Sequence, residues 1–230
     1  ILNVTPDSFS DGGRNAGAPD RAAGVGVEYA AMGASIVDVG GESTRPGAKT
    51  VWEGEEIARV VPVIERLATS GTAISIDTRK ADVMAAALAA GAHIVNDVAA
   101  LAWDDRALDI VSRAGCPVVL MHSADPRKGA EGMGGYADPL IEVYDWLERR
   151  VAQVVAAGVD RSRILIDPGI GFGKSLPDNL ALMNGLALFH GIGCPVLLGA
   201  SRKRVVGALS NEAPADKRLG GSVAFALKAA

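Results

Sequence analysis

Four side chains of one chemical kind recur at one kind of place in this chain, directly after a short apolar run. Asp38 follows Ile36-Val37, Asp77 follows Ile74-Ser75-Ile76, Asn96 follows Ile94-Val95, and Asp167 follows Ile164-Leu165-Ile166. Asn3 stands in the same position after Ile1-Leu2, and Val196-Leu197-Leu198 leads into Gly199-Ala200-Ser201-Arg202-Lys203. A lone Asp after a strand ordinarily caps the next turn, but Pro168 removes one donor that Asp167 could have capped. Carboxylates gathered at one rim repel one another unless a ligand pairs them. The set therefore points to a bound ligand that pairs the carboxylates, with Lys203 placed to hold an oxo group or an anion.

The elements that must position these residues follow a repeated pattern. Ile164 to Asp167 is all apolar up to its carboxylate, as in a parallel strand covered on both faces, and Pro168 with Gly169, Gly171 and Gly173 ends it. Val118 to Met121, running into His122, is a further strand of this kind, so the sequence predicts seven. Between them lie helical stretches. Asp20 to Met32 carries Ala22, Ala23, Val27, Ala30 and Ala31 at helical spacing and stops at Gly33-Ala34. The same helix, glycine, strand join returns at Gly91, Gly115 and Gly158. Asp138 to Ala157 is amphipathic, with Leu140, Val143, Tyr144, Leu147, Val151 and Val154 on its packing face.

Strand, loop, helix and glycine repeated in this order predict an α/β fold with a parallel sheet. Nearly every strand ends in polar residues, which favours a closed (β/α)8 TIM barrel over an open sheet with one nucleotide loop. The expectation is a single barrel domain over residues 1–230. Its eighth strand would follow the helix at Val223 to Ala230, so we expect a fragment truncated at both ends and lacking that strand. Three connections have no helical pattern, Thr5 to Pro19, Gly40 to Trp52 and Ser123 to Ala137, and these are the expected binding loops.

Composition bounds the functional classes. The chain has 230 residues, 49% hydrophobic and 22% charged, with formal net charge -4. That is enough for a large core, and the scattered basic residues give no footprint for nucleic acid. Cys116 and Cys194 each precede a proline that opens an apolar strand, and neither has metal-ligand spacing with His93, His122 or His190. Both are expected to be reduced core residues, which together with the lack of a long apolar run predicts a cytoplasmic protein without membrane contact. Gly173-Lys174-Ser175 fails as a phosphate-binding P-loop, because Pro168 stands where that pattern needs a glycine and Leu176-Pro177-Asp178 is a fresh helix start. Its glycines let the backbone approach a flat ligand, and Phe172 stacks on that ligand or fills the core.

The longer motifs carry a family resemblance. Asn3-Val4-Thr5-Pro6-Asp7-Ser8-Phe9-Ser10-Asp11-Gly12-Gly13 and Asp38-Val39-Gly40-Gly41-Glu42-Ser43-Thr44-Arg45-Pro46-Gly47 are specific. With Ile76-Asp77-Thr78, Asn96-Asp97, Asp167 to Lys174 and Ser201-Arg202-Lys203, they resemble, in order, the motifs of the bacterial dihydropteroate synthase family. The resemblance implies a (β/α)8 barrel joining 6-hydroxymethyl-7,8-dihydropterin diphosphate to 4-aminobenzoate, with sulfonamides competing for the aminobenzoate site. It implies that Asp77, Asn96, Asp167, Lys203, Met121 and Phe172 hold the pterin, and that Asp38, Asp77 and Lys203 act in catalysis. Asn3 would help bind Mg²⁺ and diphosphate, and Thr44, Arg45, Pro46 and Ser201 would lie around aminobenzoate. A homodimer packed through late helices is implied as well.

Two departures bear on this reading. The family's last strand, with its Arg-x-His, has no counterpart after Ala230, and His122-Ser123-Ala124-Asp125-Pro126 differs from the usual Met-His-Met-x-Gly-Asn-Pro. Because Thr44-Arg45-Pro46-Gly47 is retained, the expected enzyme is sulfonamide-sensitive. The alternatives are a pterin-binding methyltetrahydrofolate:corrinoid methyltransferase domain and a non-catalytic pterin-binding paralogue. Ser43 to Pro46 and Ser201 to Lys203 speak against the first, and intact Asn3, Asp77, Asn96, Asp167 and Lys203 against the second.

Overall fold

In the computed structural model, residues 1–5, 17–43, 48, 50–123 and 135–230 are described. Thr44, Arg45 and Pro46, and most of the first and third predicted binding loops, lie outside them. The chain forms two compact units, Ile1–Val119 with Ala157–Arg163, and Leu120–Ala156 with Ile164–Ala230.

The first unit is an alternation of strands and helices: β1 (Leu2–Asn3), α1 (Pro19–Ala31), β2 (Ile36–Gly40), α2 (Glu53–Ala68), β3 (Ala73–Asp77), α3 (Ala81–Ala89), β4 (Ile94–Asp97) and α4 (Ala107–Ala114). Strands β1 to β4 are parallel neighbours in chain order. The Val95 amide donates to the Pro117 carbonyl at 3.0 Å, at the start of β5 (Val118–Met121). Parallel strands need a crossover, and each helix supplies one while covering the apolar strand face. Val37, Val39, Ile74, Ile76 and Val95 of the strands and Val60, Val63, Ile64 and Leu67 of α2 are all buried, each contributing about 1.5–3 kcal/mol. All four predicted helix-to-strand glycines, Gly33, Gly91, Gly115 and Gly158, have positive φ, the backbone that lets the chain leave a helix and turn into a strand.

One predicted packing face shifts. In α1 the buried residues are Ala22, Ala23 and Gly26, whereas Val27 is 43% exposed. A Cβ on Gly26 would lie 2.6 Å from Leu67 Cδ2, so the missing side chain lets α1 approach α2 closely and turns Val27 outward.

In the second unit, α5 (Pro139–Ala156) buries Val143, Leu147, Val151 and Val154, four of the six residues expected on its packing face. It leads on to β6 (Ile164–Asp167), α6 (Leu176–Asn184), α7 (Arg204–Leu209) and α8 (Leu219–Ala229). At the ends of β5 and β6, the His122 amide donates to the Asp167 carbonyl at 2.9 Å. Helix α6 starts at the predicted place, because Ser175 and Asp178 form a reciprocal capping box at its N-terminus. The predicted seventh strand is reduced to one parallel bridge, Ile166 with Val196. Its two hydrogen bonds run from the Ile166 amide to the Pro195 carbonyl and from the Leu197 amide to the Ile166 carbonyl. Continuing that ladder in either direction would call on the nitrogen of Pro195 or of Pro168, and neither carries a proton. Both cysteines are buried and free, as expected.

Candidate functional site

In the first unit, strand register brings the predicted residues into one row. Asn3 is opposite Gly40, Gly40 opposite Asp77, and Asp77 opposite Asn96, all at the carboxyl ends of parallel strands. Gly40 keeps the row open: a Cβ there would sit 3.5 Å from Asp77 Oδ2 and 3.7 Å from Asn3 Oδ1. Asp38 lies two residues earlier on β2, on the same face as Gly40. Its Oδ1 accepts from the Ser75 hydroxyl and its Oδ2 from Asn96 Nδ2 at 3.2 Å.

These carboxylates are poised unusually. Burial raises the Asp38 pKa, against the hydrogen bonds from Ser75 and Asn96. Burial pushes Asp77 well above the usual carboxylate range, and Asp38, Asp97, Glu56 and Glu42 push it further in the same direction. Asp77 Oδ1 is shut off from solvent and has no partner among the described residues. A proton bound more tightly in the folded chain than in the unfolded one means that stability is lost as pH rises from the ordinary Asp value towards the raised one. Asp77→Asn is therefore expected to raise stability near neutral pH by about 1–3 kcal/mol, with the gain shrinking as pH falls to the ordinary value. Urea unfolding at two pH values checks both the sign and the trend.

Sequence reasoning missed a buried ionic network next to this row. Lys80 donates to Glu42 Oε2 at 2.6 Å and to Glu56 Oε2, the Thr78 hydroxyl donates to Glu56 Oε1 at 2.7 Å, and Arg79 Nε donates to Glu42 Oε1 at 3.0 Å. The Val51 amide also donates to Glu42 Oε2, at 2.7 Å. Burial would raise the Glu42 pKa, but Lys80, Val51 and Arg79 together hold it below the usual range. Glu42 stood inside a quoted motif, and Thr78-Arg79-Lys80 directly follows Asp77, but a lysine in a loop gives no sign in sequence of being buried. Asp97 is a structural cap: its two oxygens accept the amides of Ala99 and Leu101, each at 2.7 Å.

In the second unit, the loop after β6 is organised around Asp167. Oδ1 of Asp167 accepts the Gly169 amide at 2.7 Å, so the capping expected of a strand-end Asp does occur, but with one oxygen only. The other, Oδ2, lies beside Gly199, where a Cβ would be 3.4 Å from Asp167 Oδ2 and 3.5 Å from Lys203 Nζ. Acceptor and donor thus approach one position. Burial raises the Asp167 pKa, opposed by Lys203, the Gly169 amide and Lys174. Lys203 Nζ donates to the Ile170 carbonyl at 2.5 Å and stands 4.5 Å from the centre of the Phe172 ring. Met121 is buried at the end of β5, and Ser201 is exposed.

His122 is largely buried, with Nδ1 lacking a partner among the described residues and its ring edge-on to Trp146 at 5.0 Å. Burial, then the nearby Lys174, lowers its pKa to about 3, so the imidazole is neutral. The His122 carbonyl decides a glycine. A Cβ on Gly169 would fall 1.8 Å from that oxygen, and φ is +71° there. Gly169→Ala is expected to displace the loop that Asp167 caps and to abolish ligand binding, while β6 and α6 stay folded. A binding titration beside a circular dichroism spectrum checks this.

A family model described as pterin binding enzyme matches residues 1–230. The dihydropteroate synthase of Bacillus subtilis (strain 168) is 46% identical over 221 residues, covering 96% of this chain and 75% of the relative. A solved structure of Xanthomonas albilineans dihydropteroate synthase with 4-aminobenzoic acid has 47% identity and a TM-score of 0.91, covering 100% of this chain and 81% of that one. The Yersinia pestis dihydropteroate synthase, solved as a sulfonamide drug complex, has 42% identity and a TM-score of 0.94, covering 100% and 82%.

Proposed function

We propose, since the chain belongs to the pterin-binding enzymes and among them to the dihydropteroate synthases, that Asp167 and Lys203 read the ring of its pterin substrate. The reaction joins 6-hydroxymethyl-7,8-dihydropterin diphosphate to 4-aminobenzoate, giving 7,8-dihydropteroate and diphosphate. The family's fold class, (β/α)8, is the one that the repeated strand-helix units spell.

The observation that carries the residue assignment is that the Asp167 carboxylate and the Lys203 ammonium approach the same position, 3.4 and 3.5 Å from where a Cβ on Gly199 would sit. A pterin edge presents the complementary set: a 2-amino group and a ring N–H that donate together, beside a 4-oxo group that accepts. Lys203 would exchange the Ile170 carbonyl for that oxo group, and Phe172 would lie against the ring face. Met121 would supply an apolar wall. By the family resemblance Asp77 and Asn96 would also bind pterin, with Asp77 Oδ1, which has no partner among the described residues, accepting one of its donors.

No side-chain nucleophile is needed. The amine of aminobenzoate attacks the pterin methylene, the bond from that carbon to the diphosphate oxygen breaks with its electron pair leaving on diphosphate, and the amine gives up a proton. Positive charge develops on the methylene as diphosphate leaves, and the buried carboxylates of Asp38 and Asp77 would stabilise it. Magnesium would fit as the companion of the leaving group: Asn3 Oδ1 and Asp77 Oδ2 are hard oxygen donors, 3.7 and 3.5 Å from where a Cβ on Gly40 would sit. Among the described residues no group of three or more His, Cys, Asp or Glu could hold a metal ion. Bound beside Asn3 and Asp77, magnesium would neutralise the departing charge.

Thr44, Arg45, Pro46 and the exposed Ser201 would surround aminobenzoate, where sulfonamides would compete. The expected homodimer is supported by α8, whose Leu219, Val223 and Leu227 repeat at helical spacing and are 64%, 49% and 72% exposed. Residues 1–230 would act as one pterin-binding domain. No helix among the described residues is long and apolar enough to cross a membrane, which suits a cytoplasmic enzyme of folate synthesis. The test is diphosphate release. It should require both substrates together and match dihydropteroate formation one to one; release with pterin alone, or none with both, would refute the assignment.

A further inference from the structure

Lys174 is 7% exposed, and neither pterin reading nor charge stabilisation uses it. Its Nζ donates to three backbone carbonyls: His122 at 3.1 Å, Gly169 at 2.9 Å and Phe172 at 3.2 Å. An ammonium has three protons, and here each has an acceptor. The acceptors come from two places, the residue that follows β5 and both ends of the short loop after β6. Between those ends, the Ile170 carbonyl goes to Lys203. Two lysines thus take three acceptors of one loop, the carbonyls of Gly169, Ile170 and Phe172, but only Lys203 has a second task. When Lys203 turns to a ligand's oxo group, the Ile170 carbonyl is released, while Lys174 keeps the Gly169 and Phe172 carbonyls and the Gly171 amide stays on Asn179 Oδ1 at 2.6 Å.

We propose that Lys174 is a positioning residue for pterin recognition, its ammonium holding the Gly169–Phe172 loop against the His122 carbonyl so that Asp167 and Phe172 stay presented while Lys203 binds substrate. The inference rests on the reading of Asp167 and Lys203 given above. The cost of placing this cation in the interior supports the idea. Burial, the largest influence, lowers its pKa to about 7, with Lys203 acting in the same direction and Asp167 and Asp178 against it. A buried, partly destabilised ammonium is retained where its hydrogen bonds have a use.

The test compares three variants of the chain, Lys174→Gln, Lys174→Met and Asp167→Asn, by titration calorimetry with 6-hydroxymethyl-7,8-dihydropterin diphosphate, after circular dichroism has shown each to be folded. Met removes all three donors and Gln leaves two without charge. The proposal expects pterin affinity to fall at least about tenfold in the Met variant and by less in the Gln variant. In steady state, the Gln variant should raise KM for the pterin substrate and leave KM for aminobenzoate unchanged, whereas general loosening would raise both. Wild-type affinity in the Met variant, equal rises in both KM values, or failure of both Lys174 variants to fold would each overturn it, the last because the lysine would then serve the fold itself. If Asp167→Asn binds pterin as wild type does, the underlying reading fails and takes this inference with it. If Asp167→Asn is weakened while Lys174→Met is not, the inference alone fails.

Discussion

Asp167→Asn is expected to lower kcat/KM for the pterin substrate by about 100-fold, close to 3 kcal/mol of lost recognition. The size follows from how the carboxylate is shared. Oδ1 is committed to the Gly169 amide, so an asparagine that keeps this bond must aim its NH2 at the position beside Lys203. Two donors of the ring would then face a donor, and the ligand would lose an acceptor and gain a repulsion. Stability should not suffer, because a buried acid whose pKa is raised by desolvation is being replaced by a neutral isostere. The acid limb of the pH profile should move as well. Only the ionised carboxylate accepts twice, so wild-type affinity falls as pH drops through the raised Asp167 pKa, while the Asn variant has no such fall from this position. Steady-state kinetics over a pH series would show both effects.

The largest expected effect on folding lies elsewhere, at Lys80. Its ammonium sits between Glu42 and Glu56, with side chains 5% and 1% exposed. Replacing it by methionine fills the volume but strands the carboxylates, with Arg79 left to serve Glu42 and the Thr78 hydroxyl left to serve Glu56. Breaking a buried pair from one side costs about 3–5 kcal/mol, a large share of the roughly 5–15 kcal/mol that a typical domain has. Lys80→Met should shift the urea midpoint down accordingly, and adding Glu56→Gln should recover a good part of the loss. An unchanged midpoint in the single variant would show that the network contributes little. Because Glu42 and Glu56 both raise the Asp77 pKa, the network is also felt at the proposed pterin site.

The parts of this fold that could be read from sequence are those set by local periodicity. Short apolar runs, interrupted only by Ser75 and ending in Asp or Asn, marked β2, β3, β4 and β6, and the glycines after α1, α3, α4 and α5 marked where each helix hands over to a strand. Strand-end position alone also brought Asn3, Asp77 and Asn96 into one register row, because parallel strands carry residues of equal rank to the same edge. What stayed hidden depends on partners far away in the chain. Val196 to Leu198 has the composition of a strand, yet two prolines cut its ladder to one bridge, and one of them, Pro168, directly follows β6. Val27 looks like a core residue until Gly26 is seen to be where α1 meets Leu67. Lys80 and Lys174 look like surface loop lysines, since nothing nearby in sequence announces the carboxylates or carbonyls that bury them. Asp97 and Asp167 look alike in sequence, and only coordinates show that Asp97 gives both oxygens to amides while Asp167 gives one.

The most direct measurement is a structure of this chain with 6-hydroxymethyl-7,8-dihydropterin diphosphate bound. The account predicts the ring edge beside Gly199, its 2-amino group and ring N–H within hydrogen-bond distance of the Asp167 carboxylate and its 4-oxo group on Lys203 Nζ. A pterin bound with that edge away from Asp167, or with Lys203 still on the Ile170 carbonyl, would contradict it.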